Sequence, residues 1–357
     1  MFKKVCLTFF TLLILFSVLA GCGQIQNPAV APSQEIVHIS PTPEVGSSSP
    51  TPEAITDTLE IRLTTDTPAS VEKTDPASIK EIIVTREVFK TLSSPQLEGR
   101  VMGSPGGEMA RAIIVDLFSD MGLKPFNKEF TNPIFINPSQ SAVSYNNNKG
   151  DGYNVVGFLP RKNSKECLVI SAHYDGADND TAALDNAAGV YALLKTAEKL
   201  SSTSKNQDFS RDIVLAAFDG EEAGLIGSSY LVDQVSDRYE KTVVINFDCV
   251  GIKGSDSYMV IGNPLQFKPL IDSIYQQLKS YHFVTVPVNE FFGSDHLSFE
   301  WQGIPAVTIG ERDVEGIVHS TNDVADKVDL NEIERLSEAV YTYVLGQADA
   351  LYETLYP

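Results

Sequence analysis

The chain has 357 residues, of which 43% are hydrophobic and 21% are charged, and this globular composition excludes a fully disordered or fibrous protein. Only four cysteines are present, which excludes a disulfide-based scaffold. The 27 basic and 47 acidic residues give a formal net charge of −20, which argues against nucleic-acid binding because that function requires a basic surface.

The first 21 residues have the pattern of a signal peptide. Two lysines precede an apolar run over 5–20, which is short for a bilayer span and typical of a secretory signal. The run ends in Leu19-Ala20-Gly21-Cys22, which resembles the lipobox of bacterial lipoproteins. The resemblance implies cleavage before Cys22 and lipidation of its thiol. We therefore expect an extracytoplasmic protein that acyl chains hold to the bacterial cell membrane or outer membrane. The alternative is an ordinary secretory signal with a chance cysteine.

Residues 22–74 are rich in Pro, Ser and Thr and have almost no apolar periodicity. Such a segment buries too little surface to offset its ordering entropy, so we predict a disordered, extended tether behind the lipidated cysteine. The pattern becomes globular from about residue 75. The interpretation is therefore a signal peptide over 1–21, a tether over 22–74 and one globular domain over 75–357.

Helical periodicity and short β-branched runs alternate through the domain. Helical periodicity covers Ile79–Leu92, Glu108–Met121 and Asn331–Tyr352, and further helices are predicted to start near Asp185, Glu222, Pro264 and Asp295. The predicted strands are Tyr153–Leu159, Leu168–Ala172, Ile213–Phe218, Val243–Phe247, Tyr258–Ile261 and Ala306–Ile309. This alternation predicts an α/β fold with a mostly parallel central sheet and helices on both faces. Cys167 and Cys249 lie in apolar runs and are predicted to be buried free thiols.

Polar residues follow several of these strands. In an open α/β sheet, ligands bind outside the carboxyl ends of the strands. Separate segments bring histidine and carboxylate side chains to this edge: His173-Tyr174-Asp175, Asp185-Asn186, Asp219-Gly220-Glu221-Glu222, Asp248, and His319 with Asp323. Taken singly, Asp185 could be a helix N-cap and the glutamates a solvated helix start. Taken together, they favour one site.

The residue types favour a metal site. Zinc binds imidazole nitrogen and carboxylate oxygen, and its catalytic sites keep a position for water. Two histidines and three or four carboxylates exceed the needs of one zinc ion and suit two ions that share a bridging carboxylate. Ser294-Asp295-His296 lies near the same edge, so Asp295 and His296 are predicted to line the substrate pocket.

These segments resemble the co-catalytic di-zinc aminopeptidases that bacteria secrete, over roughly residues 85–355. The matching segments are 97–100 (LEGR), 172–175 (AHYD), 184–189 (LDNAAG), 218–228 (FDGEEAGLIGS), 246–248 (NFD), 294–296 (SDH) and 319–323 (HSTND). The resemblance implies a zinc-dependent exopeptidase fold and the removal of N-terminal residues from peptide substrates, with two zinc ions per chain.

The resemblance also implies a role for each residue. His173 and Asp248 would hold one zinc ion, Glu222 and His319 the other, and Asp185 would bridge them. Glu221 would be the general base that takes a proton from the attacking water. Asp175 would orient His173, as partners of ligating histidines commonly do.

Two positions depart from the family pattern. Val318 precedes His319, where the best-known members have a tyrosine that helps to hold the oxyanion, and Leu184 precedes Asp185 in place of an acidic residue. Three alternatives stay open: a glutaminyl cyclase, which usually has serine where Asn186 stands, another amide hydrolase, and a non-catalytic binding ectodomain. Asn186 favours the peptidase. Side-chain preference and oligomeric state are not determined by the sequence.

Overall fold

The computed structural model describes residues 84–135, 148–161, 164–177, 181–255, 257–288 and 293–357. The predicted signal peptide and tether therefore lie outside the described residues, as does the start of the predicted helix Ile79–Leu92. Within the described part of the chain, no helix is both long enough and apolar enough to cross a bilayer.

The described residues form one mixed sheet of nine strands. In sheet order the strands run β1-β3-β5-β4-β6-β9-β7-β8, and β2 pairs with β3. Their bounds are β1 Lys124–Pro125, β2 Thr131–Ile134, β3 Gly152–Leu159, β4 Glu166–His173, β5 Asp212–Phe218, β6 Lys241–Phe247, β7 Ser257–Ile261, β8 Val284–Thr285 and β9 Ala306–Glu311. All six predicted strands are present, and the three short strands β1, β2 and β8 were not predicted.

The four central strands β5, β4, β6 and β9 are parallel. In this register Leu168 of β4 lies between Ile213 of β5 and Val243 of β6. The flanking strands β3 and β7 pair antiparallel with β5 and β9. The predicted parallel sheet is thus confirmed for its centre, and the carboxyl ends of four strands meet at one edge. We call this the carboxyl edge and the opposite one the amino edge.

Eight helices lie within the described residues. They are α1 Arg86–Leu92, α2 Pro105–Asp120, α3 Gly189–Ser204, α4 Ile226–Arg238, α5 Lys268–Ser280, α6 His296–Glu300, α7 Leu330–Gly346 and α8 Ala348–Leu355. The predicted helix Asn331–Tyr352 is divided into α7 and α8 at Gln347, whose φ of −118° departs from the regular helical value.

Three helices begin later than predicted. Helix α5 begins at Lys268 and not near Pro264, and α3 and α4 begin late because the backbone before them is not helical. Asp185 and Asn186 have φ of −116° and −143°, so regular helix α3 begins only at Gly189. Gly224 and Leu225 have φ of 108° and 58°, a left-handed conformation that cannot continue into helix, so α4 begins at Ile226. The residues between strand and helix are therefore free to project toward the carboxyl edge.

Apolar side chains cover both faces of the sheet. On one face Leu168, Ile170 and Ala172 pack with residues of α1, α2, α3, α5 and α7. On the other face Cys167 and Val169 pack with residues of α4 and α6. This alternation along β4 is the two-residue period of a strand buried on both sides. It confirms helices on both faces, and the buried thiols Cys167 and Cys249 are free, as predicted.

Candidate metal centre

The side chains singled out in the sequence meet at the carboxyl edge. His173 is the last residue of β4 and Asp248 directly follows β6. Glu221 and Glu222 follow β5, and Asp185 lies in the irregular turn Ala183–Ala188 before α3. His319 lies in the segment after β9. The parallel arrangement of the central strands places all these segment ends side by side.

Two groups of three side chains have ligand atoms within 4.8 Å of one another, and Asp185 belongs to both. In the first group, His173 Nε2 lies 3.3 Å from Asp185 Oδ1 and 3.4 Å from Asp248 Oδ1. In the second group, His319 Nε2 lies 3.1 Å from Asp185 Oδ2 and 3.1 Å from Glu222 Oε1. Each carboxylate oxygen of Asp185 thus faces a different histidine, which is the geometry of a bridging ligand.

His173 is fully buried, and Asp175 fixes the orientation of its ring on the side away from the other proposed ligands. Its Nδ1 lies 3.0 Å from the backbone carbonyl oxygen of Asp175 and 3.7 Å from Asp175 Oδ1. A proton on Nδ1 can be donated only to those oxygens, so in the neutral ring the Nε2 lone pair faces Asp185 and Asp248. Such support fixes the tautomer that a metal ligand needs.

Asp175 also holds the segment that carries the two glutamates. Its Oδ1 accepts a hydrogen bond from Glu221 N at 3.1 Å, and its Oδ2 accepts one from Glu222 N at 3.2 Å. Asp175 is completely buried, so these two bonds satisfy both of its oxygens in a low-dielectric setting. The residue therefore contacts His173 mainly through its carbonyl and positions the glutamates through its carboxylate.

The carboxylates of this cluster shift each other's protonation. Burial raises the pKa of Glu221 well above its usual value, and Asp295 and Asp248 add to the effect against the influence of His173. Burial and Asp185 raise the pKa of Glu222 to about 7. Burial acts to raise the pKa of Asp185 as well, but hydrogen bonds from His173 and His319 outweigh it and hold that pKa below its usual value.

The two histidines are the cationic partners of these acids. The hydrogen bonds that His319 donates to Asp185 and Glu222 raise its pKa to about 11. Burial acts to lower the pKa of His173, but Asp248 and the other acids raise it well above its usual value. The same acids that raise these pKa values would favour a divalent metal ion, whose binding would displace protons from the imidazoles. The donor set, one imidazole and two carboxylates in each group, fits zinc.

Several residues around the ligands have a backbone conformation that side chains other than glycine rarely adopt. Ala182, Leu225, Cys249 and His319 have positive φ values of 47°, 58°, 55° and 53°. Each of them is a predicted ligand or lies within three residues of one. Backbone of this kind is commonly concentrated at functional sites, where the surrounding structure enforces it.

The structure buries the two residues that were predicted to line a substrate pocket. Asp295 is 0% exposed and His296 is 1% exposed. His296 Nδ1 lies 2.8 Å from Thr308 Oγ1, and burial lowers the pKa of His296 to about 4, so that its ring is neutral near pH 7. Their place in a substrate pocket stays a prediction.

Asn186 has a supporting role that sequence reasoning missed. Its Nδ2 donates to the carbonyl oxygen of Phe247 at 2.9 Å, and its Oδ1 accepts from Gly189 N at 2.9 Å. It therefore ties the turn that carries Asp185 to the end of β6, next to Asp248. The available signal was its position beside the predicted bridging residue, but its partners are backbone groups, which no sequence pattern identifies.

The segments that carry these side chains lie within the part of the chain that a family model matches. The family model "Peptidase family M28" matches residues 154–344, more than half of the chain. The chain belongs to peptidase family M28. The match spans His173, Asp185, Glu222, Asp248 and His319.

Comparisons with individual proteins agree with this membership. The chain is 28% identical to aminopeptidase YwaD of Bacillus subtilis over 194 residues, which cover 52% of this chain and 42% of that protein. The matched region thus spans less than half of that relative. The fold is similar to LapA aminopeptidase of Legionella pneumophila, with a TM-score of 0.59, 19% identity and coverage of 80% and 79%. It is also similar to the glutaminyl cyclase of Porphyromonas gingivalis, with a TM-score of 0.58, 18% identity and coverage of 74% and 98%. At these identities the two solved structures establish the fold.

Proposed function

We propose that this member of the M28 family is an aminopeptidase that holds two zinc ions and removes N-terminal residues from peptides. The observation that carries the proposal is the position of Asp185, with Oδ1 3.3 Å from His173 Nε2 and Oδ2 3.1 Å from His319 Nε2. A single metal ion would not require one carboxylate to face two separate imidazole groups. The relatedness to aminopeptidase YwaD supports the choice of substrate.

In this proposal His173, Asp248 and Asp185 hold one ion, and His319, Glu222 and Asp185 hold the other. Zinc bound there would supply Lewis-acid activation of a water molecule and of the scissile carbonyl group. The chain's own contribution is to orient the ligands. Asp175 and Asn186 do so through backbone hydrogen bonds on either side of the centre.

Glu221 is the proposed general base. Its backbone N–H is held by Asp175, its side chain is not among the two ligand groups, and it directly precedes the ligand Glu222. Its carboxylate would accept a proton from the attacking water and pass it to the leaving amine. Burial raises the pKa of Glu221 above its usual value, so its carboxylate holds a proton more strongly than that of an exposed glutamate.

The test combines metal content with cleavage of matched substrates. Elemental analysis of the purified, zinc-loaded protein should give two zinc ions per chain. The protein should release p-nitroaniline from leucyl-p-nitroanilide and not from the N-acetylated form, because an aminopeptidase requires a free N-terminus. Digestion of a peptide library followed by mass spectrometry then reports the side-chain preference.

Other outcomes would replace the proposal. Equal cleavage of the acetylated substrate would indicate another amide hydrolase. Cyclisation of N-terminal glutamine with no release of leucine would indicate a glutaminyl cyclase. Two zinc ions without any turnover on the peptide library would favour a binding ectodomain.

We also propose that Cys22 carries a lipid anchor and that residues 22–74 hold the catalytic domain away from the membrane. The support is the lipobox-like Leu19-Ala20-Gly21-Cys22 and the composition of the segment that follows. The wild-type protein should enter the detergent-rich phase of a Triton X-114 partition, and Cys22→Ser should remain in the aqueous phase or keep its signal peptide. Equal partition of both proteins would exclude the anchor.

A further inference from the structure

A buried arginine bridges the two ends of the loop that runs from the proposed ligand His173 to the proposed ligand Asp185. We call the place where these two ends lie side by side the loop neck. Arg100 is 0% exposed. Its Nε donates to the carbonyl oxygen of Tyr174 at 2.7 Å, directly after His173. Its Nη1 and Nη2 donate to the carbonyl oxygens of Thr181 and Ala182 at 3.1 and 2.8 Å, just before Asp185. One guanidinium group thus joins the two ends of the segment between His173 and Asp185.

The same arginine is fixed to the rest of the fold. Its Nη1 also donates to the carbonyl oxygen of Leu92 at 2.6 Å, at the end of α1. The backbone at Gly176, two residues after Tyr174, is packed too tightly to shift. A Cβ on Gly176 would lie 2.7 Å from the carbonyl oxygen of Gly99 and 2.3 Å from the Cβ of Ala182. The loop neck is therefore closely packed. Arg100 sets the distance between its two backbone segments, one after His173 and one before Asp185.

A buried aspartate holds the other side of the same turn. Asp323 is 0% exposed and lies four residues after His319. Its Oδ1 accepts from Leu184 N at 2.6 Å, and its Oδ2 accepts from Asp185 N at 3.0 Å. Its carbonyl oxygen accepts a hydrogen bond from Thr181 Oγ1. Asp323 therefore links the segment of His319 directly to the backbone of the shared ligand.

We propose that Arg100 and Asp323 are positioning residues that together set the place of the shared carboxylate Asp185, and hence the separation of the two metal positions. Arg100 joins the backbone just before Asp185 to the backbone just after His173. Asp323 joins the backbone of Asp185 itself to the segment of His319. Neither residue belongs to the two ligand groups. The inference rests on the proposed two-metal function and assigns these residues to it.

The geometry requires these residue types. Arginine presents a planar fork of donors, which reaches four carbonyl groups at once, whereas lysine presents a compact ammonium with three donors and cannot span the neck. The two carboxylate oxygens of Asp323 each accept a hydrogen bond from a backbone N–H group. In asparagine one oxygen is replaced by an NH₂ group, which would face one of these N–H donors and could not accept its hydrogen bond. Arg100→Lys and Asp323→Asn therefore preserve size or charge while they remove the spacing function.

The experiment measures metal affinity in the full chain. Apo-protein is titrated with Co²⁺, and binding is followed by the visible absorption of the bound ion. Arg100→Lys and Asp323→Asn should each weaken binding of both ions by about 10–100-fold, the usual effect of losing an outer partner of a ligand. Both sites should weaken because Asp185 belongs to both. The shape of the absorption band should also change, which a loss of stability alone would not cause.

Arg211→Lys is the matched control. Arg211 is another buried arginine, but it lies at the amino edge, where it pairs with Asp349. Its substitution should lower the melting temperature of the apo-protein and leave Co²⁺ affinity unchanged. If Arg100→Lys does not fold, Asp323→Asn, which removes no packing, carries the same expectation.

The outcomes separate this inference from the proposed function. Wild-type protein that takes up fewer than two Co²⁺ ions would contradict the two-metal function itself. Two ions in the wild type, with unchanged affinity in both variants, would overturn the positioning role alone. An equal loss of affinity in Arg211→Lys would also overturn it, because the effect would then be general destabilisation.

Discussion

The two edges of the central sheet arrange their charged side chains in opposite ways. At the amino edge, Arg211 Nη1 lies 2.8 Å from Asp349 Oδ1, and its guanidinium stacks 3.8 Å from the ring centroid of Tyr352. Lys241 Nζ lies 3.3 Å from Glu166 Oε1. At the carboxyl edge, the ion pairs of Asp185, Glu222 and Asp248 within the described residues involve only the two histidines.

The difference shows which edge is built for a cation. Cavities of about 260 and 460 Å³ lie at the amino edge, where Arg211 and Asp349 line both. Those charges are already matched by partners of opposite sign. The carboxyl edge instead gathers carboxylates around imidazoles that can lose their protons. Unmatched negative charge at buried, converging side chains, more than cavity size, therefore identifies the site.

Removal of metal should have the largest effect, because it should act at the carboxyl edge and not at the amino edge. Chelation should abolish peptidase activity and lower the melting temperature, since an ion that binds only the folded state stabilises it by mass action, by about 3 kcal/mol at 100 times its dissociation constant. Calorimetry with and without chelator measures this, and re-addition of Zn²⁺ is the control. Full activity after exhaustive chelation would show that the carboxyl edge is not a metal centre.

Substitution of the two adjacent glutamates should separate chemistry from metal binding. Glu221→Gln should retain both zinc ions and lose about 10²–10⁴-fold in kcat with little change in KM, because the general base is missing. Glu222→Gln should lose metal, because an amide is a neutral and poorer ligand. Zinc content and kcat are measured for both variants. The reverse pattern would exchange the two roles, and full activity in both would place the reaction elsewhere.

Substitution at the amino edge should affect stability alone. Arg211→Met should lower the free energy of unfolding by about 1–3 kcal/mol, through the lost charged hydrogen bond to Asp349 and the lost stacking on Tyr352. Asp349 is largely exposed and stays hydrated, which limits the cost. Denaturant unfolding gives the change, while zinc content should stay at the wild-type value. A loss of zinc would show that the two edges are coupled.

The smallest effect concerns a buried histidine that is not a proposed ligand. Burial lowers the pKa of His296 from 6.5 to about 4. Between pH 6.5 and 4 His296 is protonated in the unfolded chain and neutral in the folded chain. The free energy of unfolding therefore falls as the pH falls toward 4. His296→Gln should remove part of this dependence, on the order of 1–3 kcal/mol between pH 7 and 4.

The measurement is urea unfolding of chelated protein at several pH values, because acid also releases metal. His282→Gln is the control, since His282 has no part in the carboxyl edge. A His296 variant with the same pH dependence as the wild type would show that the burial of His296 does not depress its pKa.

The fold class and the positions of the candidate ligands could be predicted from the sequence. Strands β3 to β7 and β9 are mostly apolar and rich in β-branched residues. A histidine or carboxylate lies at the end of each central strand or directly after it, so Leu168–Ala172 followed by His173 is informative without any tertiary knowledge. The short strands β1 and β8 could not be predicted, because two residues have no periodicity. The late starts of α3 and α4 were missed because no sequence pattern marks the irregular backbone at Asp185 or the left-handed backbone at Leu225.

The sequence by itself determined which residue types reach the carboxyl edge, because parallel strands deliver whatever follows them to one side of the sheet. Only the tertiary structure decided how they meet there: that each oxygen of Asp185 faces a different histidine, that Asp175 holds the glutamates through their N–H groups, and that Arg100 closes the loop neck. The reason is physical. The contacts of Asp175 and Arg100 use backbone N–H and C=O groups, which nearly every residue carries, so they leave no pattern in the side chains. The contacts of Asp185 join side chains from segments far apart in the sequence, so they too exist only once the chain has folded.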